Sequence, residues 1–209
     1  MRGARSESSR AEKFFDGIVA EAPRQAVGAL TTIPALRSPD FFRSVFDAHA
    51  AYVSASLGRL GIAPGDRDDL VIEVFLRVHR DLDRYDASRP MRPWLFAFAA
   101  RVASEHRRLA RHRREVLGER HDAPSTSPTP ERAFEETEAR RLVERALDAL
   151  DDEKRAVFVL HDLDETPVPE IARVLGIAEG TAYSRLRAGR AEFGAAIRRL
   201  QIASKERSP

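Results

Sequence analysis

The chain of 209 residues has no cysteine. That excludes a disulfide framework, a thiol nucleophile and any thiolate-held zinc or iron–sulfur site. No apolar run approaches the roughly 20 residues that a membrane-crossing helix needs. The N-terminus lacks the apolar core of a signal peptide, so the expected compartment is the cytoplasm. Aromatic residues are few, at 7%, and runs of Val, Ile, Thr and Tyr that would read as strands are nearly absent. No glycine-rich phosphate loop appears. The six histidines, His49, His79, His106, His112, His121 and His161, show no metal-ligand spacing. The expectation is a protein with no cofactor, no metal and no catalytic activity of its own.

What remains is apolar residues enough for real cores, at 43%, with 33% charged residues rich in arginine and glutamate. Ala, Leu, Arg and Glu favour helix, and the expected class is all-α. Net charge is only +2, but it is unevenly placed. Arg101, Arg107, Arg108, Arg111, Arg113 and Arg114 form one basic run, and Arg185, Arg187, Arg190, Arg198 and Arg199 form a second. Acids gather at Asp66–Asp69 and Asp148–Glu153. Local basic patches on a nearly neutral chain suggest phosphate contacts at defined places.

Residues 1–39 read as a flexible extension, although Phe14, Phe15, Ile18 and Val19 could share one face of a short helix. From Phe41 a helical stripe takes in Phe42, Val45, Phe46, His49, Val53, Leu57 and Leu60. After a turn at Gly61–Gly65, a second helix over Asp66–Arg84 turns Leu70, Val71, Val74, Phe75, Val78 and Leu82 inward. A third runs from about Trp94 to Arg114, apolar in its first half and basic in its second. Three such stripes close one core over residues 40–115. Residues 116–134, with DAPSTSPTP at Asp122–Pro130, read as a flexible Pro/Ser/Thr-rich linker. Helical period returns over 135–201, through Leu142, Val143, Ala146, Leu147 and Leu150 and then Ala156, Val157 and Leu160, and 202–209 reads as a disordered tail.

Within the second domain, Thr166–Arg190 has the pattern of a helix-turn-helix. Thr166 is expected to cap the first helix, with Pro167 at its first position and Glu170 at the positive end of its dipole. Ile171, Val174 and Leu175 face inward, Gly176 ends the helix, and Ala182 and Leu186 anchor the next one. The outward residues of that second helix are Thr181, Tyr183, Ser184, Arg185, Arg187 and Arg190. Arginine pairs with guanine edges or phosphates, Ser and Thr bond either, and Tyr packs on sugar or a thymine methyl. A protein-binding helical hairpin would share the fold, but not the bias of arginines to one helix.

A different signal lies upstream. Tyr85, Trp94, Phe96 and Phe98 stand just ahead of Arg101, Arg107 and Arg108. Rings beside arginines suit single-stranded nucleic acid, whose unstacked bases lie on the rings. The competing reading is that Trp94 and Phe98, which share a face, are simply core. Asp66, Asp68, Asp69 and Glu73 form an acidic patch that is either a solvated helix start or a docking face for a basic partner.

The order of these signals resembles bacterial RNA polymerase sigma factors of the extracytoplasmic-function (ECF) type. Asp68–Val78, DDLVIEVFLRV, resembles the helix of region 2 that docks on core polymerase. Trp94–Arg108, WLFAFAARVASEHRR, resembles the segment that melts the minus-10 element and captures its non-template strand. EIARVLGIAEGTAYSRLRAGR, Glu170–Arg190, resembles the helix-turn-helix of region 4 that reads the minus-35 element. The resemblance implies polymerase docking through Asp68, Asp69, Leu70, Ile72, Glu73 and Phe75. It implies strand capture by Tyr85, Trp94, Arg101, Glu105 and Arg108, and duplex recognition by Thr181, Tyr183, Ser184, Arg185, Arg187 and Arg190. The partners it implies are core RNA polymerase, duplex and single-stranded promoter DNA, and an anti-sigma factor.

Several residues depart from the family pattern. Ile72 stands where glutamine is usual, Arg101 and Glu105 replace an asparagine and an aspartate, and Asp151 stands where a proline usually opens a helix. Ala178 replaces a serine cap, a change that costs about 1 kcal/mol. Tyr183 and Ala188 sit where basic residues are common, and Arg187 is basic where the family varies. The alternative function is a stand-alone helix-turn-helix repressor or activator, which would bind a palindromic operator without polymerase.

Overall fold

The computed structural model describes residues 38–117 and 132–205. Residues 1–37 of the expected N-terminal extension, including Phe14–Val19, and Asp122–Pro130 of the expected linker lie outside the described residues, while Ser38 and Pro39 open the first helix. Seven α-helices and no strand occur among the described residues, in keeping with the all-α expectation.

Helix α1, Pro39–Arg59, begins where Ser38 accepts a hydrogen bond from the Phe41 amide and Pro39 fills the first turn. It buries Phe42, Val45, Val53 and Leu57. The chain turns at Gly61, whose φ of +86° is open to glycine and strained for other residues. A side chain there would also collide with the Arg155 guanidinium of the second domain. Helix α2, Pro64–Asp81, starts earlier than the sequence pattern suggests, because Pro64 takes the first helical position. It ends in a 3-10 turn, Leu82–Arg84. Helix α3, Met91–Leu117, continues into the residues expected to be linker.

Helices α4, Arg132–Leu147, and α5, Asp152–Phe158, open the second domain. Asp151, the departure noted above, caps α5 by accepting from the Lys154 amide at 2.8 Å. Burial pushes its carboxyl up, but the hydrogen bonds from Lys154 outweigh that and leave its pKa below the ordinary aspartate value. A π-helical turn, Val159–Leu163, leads to α6, Val168–Leu175, and α7, Glu179–Lys205. With 27 residues, α7 is about 40 Å long and extends through much of the expected disordered tail.

The two domains pack directly on each other. Their buried side chains, from Val53 and Phe96 in the first to Ile171 and Leu160 in the second, belong to one continuous apolar cluster. The sequence pattern suggested separate cores, because helical periodicity shows which face is buried and not what covers it.

Candidate nucleic-acid and partner interface

The helix-turn-helix is built by α6 and α7. The Thr166 cap is not formed: Thr166 is buried, its amide donates to the Leu160 carbonyl at 2.8 Å, and Pro167 occupies the cap position without a side-chain bond. The preceding turn draws Thr166 inward, and tertiary packing overrides its local capping preference. Gly176 does end α6, in the left-handed conformation with φ 67°. The Ile177 amide reaches back to the Ala172 carbonyl at 2.9 Å, the closing bond of a Schellman turn. Ala182 and Leu186 are buried and fix α7 against the core.

The other face of α7 carries the expected DNA-facing residues. Tyr183 is 56% exposed, an unusual position for a ring with no partner to cover it. Ser184 and Arg187 are exposed, and Thr181 is half-buried, its carbonyl accepting the Ser184 hydroxyl at 2.9 Å. Two arginines are held by acids that the sequence pattern did not single out for that purpose. Arg185 pairs with Glu153, and Arg190 donates to Asp162 at 2.9 Å. The Arg190 hydrogen bond holds the Asp162 carboxyl below the ordinary aspartate range, so it stays ionised. Surface pairs of this kind contribute about 0–1 kcal/mol, which a phosphate readily displaces. Arg187 forms no ion pair with any described residue.

In the first domain, the Tyr85, Trp94 and Phe98 rings form a ladder with centroid spacings of 5.1 Å and 4.9 Å. Phe96 and Phe98 are core, whereas Tyr85 and Trp94 are half-buried at its edge. The core reading therefore holds for Phe98 and not for Trp94, which keeps part of its surface open. The Tyr85 hydroxyl donates to the Arg89 carbonyl at 2.6 Å, which fixes the ring on the loop before α3. Arg101 lies 5.7 Å from the Phe98 ring centroid and is otherwise exposed, as is Arg108.

Glu105 is exposed but engaged: Arg77 grips it with two hydrogen bonds, at 3.0 Å and 2.7 Å. Arg77 also binds Glu73 at 2.9 Å. That grip holds the Glu105 carboxyl below its ordinary range. Arg77 thus joins the expected docking helix to the expected strand-capture helix. The Glu73–Arg77 half is visible as an i,i+4 pair; the Glu105 arm depends on α2 packing against α3 and has no sequence signal.

On α2 the expected docking residues separate. Asp68 and Asp69 are exposed, and Leu70, Ile72 and Glu73 are half-buried. Phe75 is fully buried, packed on the Phe46 and Phe42 rings at 4.7 Å and 6.3 Å. It cannot touch a docked partner and is removed from that set: its place four residues after Val71 puts it on the core face.

The helices and faces define a class: a two-domain helical protein with a helix-turn-helix in one domain and an aromatic–arginine face in the other. The comparisons make the assignment narrower. The family model for Sigma-70 region 2 matches residues 45–114, and that for Sigma-70 region 4 matches residues 140–193. ECF RNA polymerase sigma factor SigL of Mycobacterium tuberculosis is 36% identical over 149 residues, covering 69% of this chain and 81% of SigL. ECF RNA polymerase sigma factor SigE of Mycolicibacterium smegmatis is 33% identical over 147 residues, covering 69% of this chain and 57% of SigE. Among solved structures, CnrH in complex with the cytosolic domain of CnrY has a TM-score of 0.55 at 25% identity, covering 77% of this chain and 91% of that one. The chain belongs to the ECF family of RNA polymerase sigma factors. No helix among the described residues is long and apolar enough to cross a membrane.

Proposed function

We propose that the chain recruits core RNA polymerase to specific promoters and helps open them, without catalysing a reaction itself, in the cytoplasm where the polymerase works. The outward face of α2, with Asp68, Asp69, Leu70, Ile72 and Glu73, docks on the polymerase. Thr181, Tyr183, Ser184, Arg187 and the displaceable Arg185 and Arg190 of α7 hold the minus-35 duplex. Tyr85, Trp94, Arg101, Glu105 and Arg108 hold the separated minus-10 strand, whose unstacking costs a few kcal/mol that contact with rings and arginines offsets. The observation that carries this reading is the coexistence, in one chain and in the matched order, of an exposed helix-turn-helix face and an edge-exposed aromatic ladder flanked by arginines. A stand-alone repressor or activator accounts for the first of these and leaves the second, and the region 2 match, unexplained.

Arg187→Ala tests the assignment of α7. The variant is expected to lose about 1–3 kcal/mol of discrimination at one position of the upstream element. Its affinity for core polymerase, measured in parallel, should not change. Equal loss in both assays would show that Arg187 does not read DNA.

A further inference from the structure

Trp94, Phe98, Arg101, Glu105 and Arg108 follow one another along α3 at alternating steps of four and three residues, so they form a single stripe on the helix. The half-buried Trp94 ring and the exposed Arg101 and Arg108 suit a nucleic-acid strand, with bases on the ring and phosphates on the arginines. Glu105 does not suit it in the same way, because a carboxylate repels phosphate. Yet its side chain is 49% exposed in the charged half of the stripe, with an arginine one turn to either side.

Arg77 of α2 sets Glu105 apart. Nη1 donates to Oε1 at 3.0 Å and Nη2 to Oε2 at 2.7 Å, one nitrogen to each oxygen, in a parallel fork. Glu73 accepts from Arg77 Nε at 2.9 Å and so holds the guanidinium itself in place. The carboxylate plane of Glu105 is therefore fixed. The Arg77 hydrogen bonds, helped by the charges of Arg108 and Arg101, outweigh burial and keep the carboxyl ionised.

An ionised carboxylate only accepts, at about four lone-pair sites. The fork takes one site on each oxygen and leaves one outward site on each. This arrangement discriminates between bases. The adjacent N1–H and N2–H donors of an unpaired guanine need both oxygens side by side, the place that Arg77 already fills. Thymine offers its one donor between two carbonyl oxygens, and the amino group of adenine lies between two acceptor nitrogens. Each of these repels a carboxylate. The N4 amino group of cytosine has a C–H on one side, so a single oxygen approaches it unopposed.

We propose that Glu105, set by Arg77, selects cytosine at one position of the minus-10 element. Arg101 and Arg108, about 10 Å apart along the helix at 1.5 Å per residue, hold the flanking phosphates and offset the repulsion of the carboxylate. Arg77 touches no base and is a positioning residue. This selection rests on the strand-capture role proposed above.

The test is initiation by core RNA polymerase with the full chain, on templates that carry an upstream element the chain uses and a randomised minus-10 element. Sequencing the transcribed templates gives the base preference at each position. The parent is expected to favour cytosine at one of them. Glu105→Gln keeps the size of the side chain but loses its charge, and should cut that preference about 10- to 150-fold, the range for a hydrogen bond to a charged group. Arg77→Ala and Arg77→Lys both remove the fork. In each, cytosine should lose ground and guanine gain at the same position. A clamp that only joins α2 to α3 would lower initiation on all templates alike and leave base preference unchanged. That result in Glu105→Gln, or in both Arg77 variants, would overturn the assignment. Initiation by the parent with no cytosine preference at any position would overturn the selection alone. Initiation on no template would overturn the promoter reading, and the selection with it.

Discussion

Phe75→Ala is expected to lower the unfolding free energy by about 3–5 kcal/mol, the range for deleting a buried phenylalanine ring. The side chain has no exposed surface and sits between α2 and α1 on the Phe42 and Phe46 rings. Its removal leaves a cavity that the surrounding Val71, Val74 and Val78 cannot fill without shifting helices. Urea unfolding followed by circular dichroism measures the loss. Ile72→Ala, by contrast, removes a half-buried side chain on the outer face and should cost little stability while weakening polymerase binding. A Phe75→Ala chain of near-normal stability with impaired docking would mean that this ring faces the partner after all.

Trp94→Ala is expected to reduce open-complex formation by about 5- to 150-fold, the equivalent of the roughly 1–3 kcal/mol that one base–aromatic stack contributes. The indole is held at an angle between Tyr85 and Phe98 and keeps part of its surface open. Binding of minus-35 duplex should be untouched, since the face proposed for it is on α7. Trp94 is the one tryptophan of the chain, so its fluorescence reports directly. A single-stranded oligonucleotide carrying the minus-10 non-template sequence should quench it, and an upstream duplex should not. No quenching, together with normal promoter opening by Trp94→Ala, would make the ring purely structural.

Both cases show what the sequence made legible. Apolar stripes at helical spacing identified the inward faces of α1 and α2, and Gly176 marked the end of α6, because these depend on local backbone geometry. The same spacing placed Phe75 on the core face, and only the resemblance to a docking helix put it in the partner surface. Thr166 had the chemistry of a cap, but the packing of the preceding turn decided otherwise. The Arg77 bridge, the acids that hold Arg185 and Arg190, and the Tyr52–Asp164 hydrogen bond are contacts between residues up to 112 positions apart. A single sequence shows that acids and arginines are present; which acid meets which arginine follows from how the helices pack.

The helix-turn-helix, the aromatic ladder and the α2 face take on a single meaning only when polymerase is present. The most direct measurement is transcription by core RNA polymerase with and without the purified chain, on a library of genomic fragments. The account predicts initiation at a discrete set of start sites that require the chain, with a shared element upstream of each. Sequence-specific binding by the free chain, with no stable polymerase complex and no new start sites, would contradict it.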